Sequence, residues 1–218
     1  MCSGYPTQIL ISYLLLGAGI GPMTPDGQLN GRFVFLLALT DTAVLLSLIV
    51  WLLVRRGERP WTVFFGDRPP GREIAAGIGS LPLIIALVIG LTLAIRRLLP
   101  ALRNVPNNPL EGLISDHAGG LWLFLFVVIV AGGVREELQR AFLLHRFRDN
   151  LGQPWLGVVI TSLSFGMGHT LQGLDAAVIT GALGATWGIM YLTRRGALAS
   201  MVSHSLFNSA ELIRAFLQ

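Results

Sequence analysis

The sequence predicts an all-α protein, a polytopic bundle of about seven transmembrane helices. Hydrophobic residues make up 53% of the 218 residues and charged residues only 13%, whereas soluble domains carry about 25% charged residues. The charges also lie in short clusters between long apolar segments, and a bilayer core needs roughly 20 apolar residues per helix. The chain is therefore long enough for a membrane bundle but leaves no room for a second, soluble domain.

The predicted membrane helices follow one another with short connections. The apolar segments that predict them are residues 9–20, 33–54, 74–95, 119–147, 155–170, 175–193 and 197–217. Pro82 predicts a kink in the third segment, and residues 98–117, which contain three prolines, form the longest irregular connection. We divide the chain into N-terminal transmembrane helices with a connecting loop, residues 1–118, and a C-terminal transmembrane core, residues 119–218.

Charge placement indicates a membrane protein with no nucleic-acid partner. The net charge is +4, and all 16 basic residues are arginines. Most of them lie at the ends of the apolar segments, where arginines set orientation and contact anionic lipid headgroups. Their excess on the side of residues 55–73 predicts that this side is cytoplasmic, and the arginine- and glycine-rich composition suggests a bacterial inner membrane. The only cysteine, Cys2, excludes an internal disulfide and a multi-cysteine metal site.

Polar residues inside the apolar segments are the candidate functional residues, because an ionisable group in lipid is costly. These candidates are Glu136, Glu137, Arg140, His169, His204 and Asn208. The turn at residues 149–154 predicts an antiparallel helix hairpin, in which Glu136 and His169 are equidistant from the tip and lie at one depth. His204 lies within about 5 Å of that depth. The sequence therefore predicts one site in the cytoplasmic half of the membrane.

Each candidate also has a purely structural interpretation. A lone histidine can be a packed core residue, and Asn208, which shares a helix face with His204, can form an interhelical hydrogen bond. Glu136 and Arg140 are four residues apart, which predicts an intrahelical ion pair that fixes the carboxylate. Asp41, in the second segment, has either a functional or gating role or a partner among the neighbouring threonine hydroxyls. Convergence at one depth favours the functional interpretation.

The polar blocks resemble those of a known family. Glu-Glu-x-x-Arg at residues 136–140, Phe-x-x-x-His at 165–169 and His-x-x-x-Asn at 204–208 are similar to the motifs of the CAAX-protease and bacteriocin-processing family of intramembrane proteases. That family includes the type II prenyl-protein proteases and the abortive-infection proteins. The resemblance covers roughly residues 119–215, and it implies a helical membrane endopeptidase.

One block departs from the family pattern. The family has three residues between the paired glutamates and the arginine, whereas only two intervene here. When Arg140 is aligned with the family arginine, Arg135 falls at the position of the first glutamate. The depth argument and the spacing to Arg140 select Glu136 as the catalytic carboxylate, and Glu137 is the alternative.

The resemblance implies hydrolysis of a peptide bond in a membrane-embedded and possibly lipidated peptide or protein. Glu136 with His169 would activate a water molecule, and His204 with Asn208 would stabilise the oxyanion. We favour a mechanism without a cofactor, because the sequence lacks a helix with paired histidines. A zinc ion held by Glu136, His169 and His204 is the alternative.

The main alternative function is a catalytically inactive membrane scaffold or a small transporter subunit. A transporter of the inverted-repeat type would show internal symmetry with broken helices at the midplane, and the sequence shows no such symmetry. The irregular glutamate block is compatible with an inactive scaffold. Such a scaffold would tolerate loss of His169 and His204, so proteolytic activity separates the two interpretations.

Overall fold

The computed structural model describes residues 5–105 and 118–217, and it confirms the all-α prediction. No strand occurs among these residues. The helices are α1 (Tyr5–Gly17), α2 (Gly31–Arg55), α3 (Pro60–Phe65), α4 (Pro70–Gly79), α5 (Leu81–Leu98), α6 (Ala118–Val127), α7 (Glu136–Asp149), α8 (Pro154–Met167), α9 (Leu174–Arg194) and α10 (Leu198–Phe216). Cys2 and residues 106–117 of the long connection lie outside the described residues.

The protein is an integral membrane protein by the length and composition of its helices. Within the described ranges, 3 stretches are long and apolar enough to cross a membrane, namely α2, Pro60–Leu98 and α9. Pro6–Gly17 and Pro154–Met167 are shorter apolar helices. The number of about seven spans stays a prediction, since α7 and α10, which carry many polar residues, are not among these stretches.

Local sequence signals explain where the helices begin and break. α2 begins after Asn30, whose side chain accepts hydrogen bonds from the amides of Arg32 and Phe33, as an N-cap residue does. The kink predicted at Pro82 lies beside a boundary between two helices at Ser80, whose backbone keeps a helical conformation. α4 and α5 are separate helices, and Pro82 lies in the first turn of α5, where the missing amide hydrogen of proline costs no helical hydrogen bond.

The long helix predicted at residues 119–147 contains a π-helical segment, Val128–Arg135, between α6 and α7. Its glycines lie against α10: a Cβ atom on Gly132 would lie 2.7 Å from Nδ2 of Asn208, and one on Gly133 would overlap the Ser205 side chain. The two glycines therefore allow α10 to pack directly on the π-helical backbone. π-helical turns frequently occur at functional sites, and this one ends immediately before Glu136.

α8 and α9 pack closely through glycine. A Cβ atom on Gly166 would lie 2.5 Å from the carbonyl oxygen of Ala177, and one on Gly184 would lie 3.0 Å from the ring of Phe165. In lipid, such close backbone approach provides the van der Waals contact that holds helices together. The packing fixes Phe165, and with it the end of α8, against α9.

The turn that precedes α10 is bound to the end of α3, and α10 therefore begins inside the bundle. The Ala197 amide donates a 2.7 Å hydrogen bond to the Phe64 carbonyl, and Gly196 is so close to the Phe65 carbonyl that a side chain there would overlap it. Ala197 is fully buried. This deep start allows His204, less than two turns into α10, to reach the first residues of α7.

Candidate active site

Four of the six predicted site residues meet at a cavity of about 410 Å³ in the bundle. Glu136, His169, His204 and Asn208 line it, together with residues from α2, α5, α6, α8 and α9. Half of the remaining lining residues are valine, leucine, isoleucine or phenylalanine. The structure therefore brings together polar residues from three separate sequence blocks at one apolar cavity.

The His204 imidazole lies between the two glutamates. Its Nδ1 atom is 2.9 Å from Oε1 of Glu137, and its Nε2 atom is 3.9 Å from Oε2 of Glu136. All three side chains are buried. Glu136 lines the cavity and Glu137 does not, so the two neighbouring carboxylates occupy different places: one faces the cavity, and the other orients the histidine from behind.

Arg140 is paired with Glu137, and the ion pair predicted between Glu136 and Arg140 is wrong. The guanidinium lies over the ring of Phe165 at 4.8 Å and near that of Trp187 at 5.9 Å. These cation–π contacts hold Arg140 on the side of α7 that faces α8 and α9, where Glu137 also lies. Arg140 thus supports the carboxylate that binds His204, rather than the one in the cavity.

Aromatic rings fix the plane of His204. Trp187 of α9 stacks on the imidazole, with ring centroids 3.8 Å apart and an interplanar angle of 16°, and Phe165 makes an edge contact at 5.8 Å. The Trp187 indole donates a 3.2 Å hydrogen bond to the hydroxyl of Ser203. The sequence analysis missed Trp187. The sequence did contain an indication, because Trp187 lies inside a predicted span, whereas tryptophans in membrane proteins more commonly lie at the membrane–water interface.

His169 follows the end of α8 and is held by one hydrogen bond from its ring. Its Nδ1 atom is 2.8 Å from the Phe165 carbonyl oxygen, and its ring lies at the edge of the Phe165 ring, with centroids 4.8 Å apart. A carbonyl oxygen only accepts, so Nδ1 carries the hydrogen and the lone pair of a neutral ring is on Nε2. His169 therefore offers a hydrogen-bond acceptor at the cavity.

Arg135 and Asp41 form a buried ion pair that the sequence analysis did not predict. The shortest nitrogen–oxygen distance between them is 3.4 Å, and both side chains are almost completely buried. Asp41 also accepts hydrogen bonds from Thr7 and Gln8 of α1, whereas the neighbouring Thr42 hydroxyl donates to the backbone of its own helix. Two opposite charges in different predicted spans were the available signal, since ionisable groups in membranes pair with one another.

The geometry does not present the zinc site considered from the sequence. Within residues 5–105 and 118–217, no group of three or more histidine, cysteine, aspartate or glutamate side chains could hold a metal ion. His204 Nε2 and Glu136 Oε2 are 3.9 Å apart, and the Nδ1 hydrogen bond of His169 leaves Nε2 as its remaining ring nitrogen. The zinc alternative stays a prediction, and we derive no step through a metal.

The fold and the site define a class of protein: a membrane helix bundle in which two buried carboxylates, a buried histidine and a half-buried histidine lie at or beside a largely apolar cavity. A family model described as type II CAAX prenyl endopeptidase Rce1-like matches residues 118–210. This confirms the resemblance to the CAAX-protease and bacteriocin-processing family over a range that contains every predicted site residue. The match covers less than half of the chain, and it suggests a protease. Neither a curated protein nor a solved structure matches the chain.

Proposed function

We propose that the protein is an intramembrane endopeptidase in which Glu136 is the general base. The observation that carries this proposal is the buried group of Glu136, His204 and Glu137, of which Glu136 and His204 line a largely apolar cavity. Burying three ionisable side chains in a membrane bundle is costly, and such residues commonly have a function there. The similarity to a protease family over residues 118–210 supports proteolysis as that function.

In the proposed reaction, Glu136 and His169 activate one water molecule. Glu136 takes a proton from the water while Nε2 of His169 accepts a hydrogen bond from the other proton. The water oxygen attacks the carbonyl carbon of the scissile peptide bond, and the electron pair of the C=O bond moves to the oxygen. Both residues line the cavity, and Glu136 is preferred to Glu137 because Glu137 does not.

His204 and Asn208 are the proposed oxyanion donors. They are four residues apart on α10 and line the same cavity. A doubly protonated His204 donates Nδ1–H to Glu137 and presents Nε2–H to the oxyanion, while Asn208 contributes its side-chain amide. Donors fixed in a site without bulk water stabilise developing charge strongly. When the tetrahedral intermediate collapses, the C–N bond breaks and the proton held by Glu136 passes to the leaving amine.

The proposed substrate is a membrane-embedded peptide or protein, with or without an attached lipid. The cavity wall beyond the polar residues is apolar, with Val127, Val128 and Leu212 among its members, and therefore suits an apolar segment. We place the protein in the inner membrane of a bacterium, with the site in the cytoplasmic half. This placement is supported by the arginine-rich connections at the end of the bundle that contains residues 55–73.

The test is cleavage of a quenched fluorescent peptide library by purified protein in nanodiscs. We expect wild type to cleave, and Glu136→Gln, His169→Ala and His204→Ala to lose at least about 100-fold in kcat, because a general base or an oxyanion donor each contributes on that order. His145→Ala is the matched control: His145 lies at the end of α7, outside the cavity, and its loss leaves kcat unchanged.

The outcomes separate the alternatives. Cleavage that persists in a chelator supports the metal-free mechanism, whereas cleavage abolished by the chelator and restored by zinc requires a metal site that these side-chain positions do not present. If the glutamate and histidine variants cleave as well as wild type, the assigned site is wrong. If wild type cleaves no member of the library, the inactive scaffold takes the place of the protease.

A further inference from the structure

A buried ion network that does not line the cavity contacts Glu136. The Arg135 guanidinium is 3.4 Å from Oε1 of Glu136 and 3.4 Å from Oδ2 of Asp41. It also donates a 3.3 Å hydrogen bond to the Gln139 side chain. The side chain of Arg135 is 1% exposed and that of Asp41 is 0% exposed. The proposed reaction uses neither residue, and neither lines the cavity.

Asp41 is itself fixed by α1. The Thr7 hydroxyl donates to Oδ1 of Asp41, and the Gln8 amide donates to Oδ2 at 3.2 Å. The carboxylate therefore has partners from both α1 and Arg135, and Oδ2 contacts both Gln8 and the Arg135 guanidinium. Because α1 and α2 together set the position of Asp41, they also set the position of the Arg135 guanidinium.

The guanidinium contacts two carboxylates with different nitrogens, NH1 to Asp41 and NH2 to Glu136. The planar fork of arginine suits this arrangement, whereas the ammonium of lysine is a single point charge. On Glu136 the oxygens are thereby distinguished: Oε1 is near Arg135, and Oε2 is the oxygen 3.9 Å from Nε2 of His204. A carboxylate held at one oxygen has its other oxygen directed at a defined place.

We propose that Asp41 and Arg135 are positioning residues that orient the Glu136 carboxylate so that Oε2 faces His204 and the cavity, an inference that rests on the proposed function of Glu136. The N-terminal helices then take part in the reaction without touching the substrate. Arg135, which stands where the resembled family has a glutamate, has a role of its own in this chain: it transmits the position of Asp41 to the reacting carboxylate.

The bundle contains a matched ion pair that has no link to the cavity. Arg194 of α9 binds Glu73 of α4 through two hydrogen bonds of 2.7 and 2.8 Å, and Glu73 is 1% exposed. Neither residue lines the cavity. Glu73→Gln therefore removes a buried carboxylate from an ion pair, as Asp41→Asn does, and it controls for a general loss of stability.

The first experiment compares kcat and KM of wild type, Asp41→Asn, Arg135→Lys and Glu73→Gln on one cleaved peptide. A misplacement of about 1 Å in a catalytic group can cost on the order of 100-fold, so we expect kcat to fall at least about 10-fold in the first two variants, with KM within about 2-fold of wild type. Arg135→Lys keeps the positive charge but removes the planar guanidinium that contacts both carboxylates. A kcat in Asp41→Asn equal to that of Glu73→Gln overturns the inference.

The second experiment does not depend on proteolysis. The thermal midpoints in nanodiscs of Asp41→Asn, Glu136→Gln and the double variant form a cycle. We expect the thermal midpoint of the double variant to fall by more than the sum of the decreases in the two single variants, because Arg135 then lacks both carboxylate partners. In the control cycle, Glu73→Gln is combined with Glu136→Gln, and the two decreases in thermal midpoint should add.

The two experiments separate failure of the inference from failure of the proposed function. An additive Asp41–Glu136 cycle overturns the inference whether or not the protein is active. If wild type cleaves no peptide, the proposed function has failed, and the stability cycle alone decides whether Asp41 and Arg135 hold Glu136 in place.

Discussion

At the scale of single residues, the site depends on which nitrogen of each histidine is already bound. Nδ1 of His204 is bound to Glu137, and Nδ1 of His169 is bound to a backbone carbonyl. In both rings Nε2 is therefore the nitrogen left for the proposed chemistry. A hydrogen bond at one nitrogen fixes the role of the other, so Glu137 and the Phe165 carbonyl determine what the two histidines can do.

A substitution of Trp187 tests the aromatic support of His204. In Trp187→Phe the ring stacked on the imidazole becomes smaller and the hydrogen bond to Ser203 is lost. An aromatic pair contributes about 0.5–1.5 kcal/mol, so we expect kcat to fall by up to about 10-fold if the loss falls wholly on the transition state. Steady-state kinetics on a cleaved peptide measures this.

Trp61→Phe is the control for that measurement. Trp61 is 69% exposed on α3 and lies outside the cavity, so its replacement should leave kcat at the wild-type value. A Trp187→Phe protein with wild-type kcat would show that the stacked ring does not position His204.

At the scale of helices, the π-helical segment before α7 determines how closely α10 approaches the site. Gly132 and Gly133 are adjacent in sequence, but they face different parts of α10. Gly132 lies against the end of the Asn208 side chain, whereas Gly133 lies against Ser205, including its Cα atom. Substitutions at the two positions should therefore have different consequences.

We predict that Gly132→Ala lowers activity more than stability. The new methyl group would lie 2.7 Å from Nδ2 of Asn208, and the Asn208 side chain can rotate away, which removes a proposed oxyanion donor. Loss of one such donor costs about 100- to 1000-fold in kcat. Kinetics and thermal midpoint measured on one preparation check this, and an unchanged kcat would contradict the assignment of Asn208.

We predict that Gly133→Ala lowers stability first. Its methyl group would overlap Ser205 and lie 3.0 Å from the Ser205 Cα atom, so α10 has to shift, and overpacking of this kind costs about 1–3 kcal/mol. The thermal midpoint in nanodiscs should fall. Gly90→Ala in α5 is the control, since a Cβ there meets nothing within 4 Å, and its midpoint should be equal to wild type or higher.

At the scale of the whole molecule, charged side chains tie the connections together at one end of the bundle. Glu58, between α2 and α3, binds Arg146 at 2.5 Å and His145 at 2.7 Å near the end of α7. His145 also contacts Asp149 at 2.8 Å. Partial burial acts to raise the pKa of Glu58, but the hydrogen bonds from Arg146 and His145 outweigh it and bring the pKa below its usual value of 4.5.

This cluster predicts a loss of stability in acid. A carboxylate with a lowered pKa in the folded state contributes stability that is complete above its unfolded pKa and is lost as the pH falls through the folded one. We therefore expect the thermal midpoint of wild type to decline below the usual glutamate pKa of 4.5. Glu58→Gln should show a smaller decline across that range, and an identical decline in both proteins would contradict the prediction.

The sequence predicted the membrane helices better than the contacts between them. Long apolar segments and prolines placed α2, α8, α9 and α10 within a few residues of their positions in the structure, because apolar length and helix breakers act locally. The π-helical segment was not predicted, because it has the same apolar composition as an α-helix. Its eight residues change the angular positions of all residues that follow.

The sequence predicted which polar residues lie close together, but not which of them pair. Costly polar residues in apolar segments identified Glu136, His169, His204 and Asn208, and the structure places them at one cavity. The predicted ion-pair partner of Arg140 was wrong, because residues three apart and residues four apart on one helix can both pair. In the structure, the aromatic rings of α8 and α9 hold Arg140 beside Glu137, three residues before it. The sequence of a single helix does not show where those rings lie.

The sequence by itself therefore determined that this chain is a helical membrane protein, which polar residues meet at its cavity, and which protease family it resembles. The tertiary structure alone decided that Glu136 faces the cavity while Glu137 holds His204, and that Asp41 reaches Arg135. The reason is physical: hydrophobic length is a local property of the chain, whereas the partner of a buried charge depends on the helices packed around it.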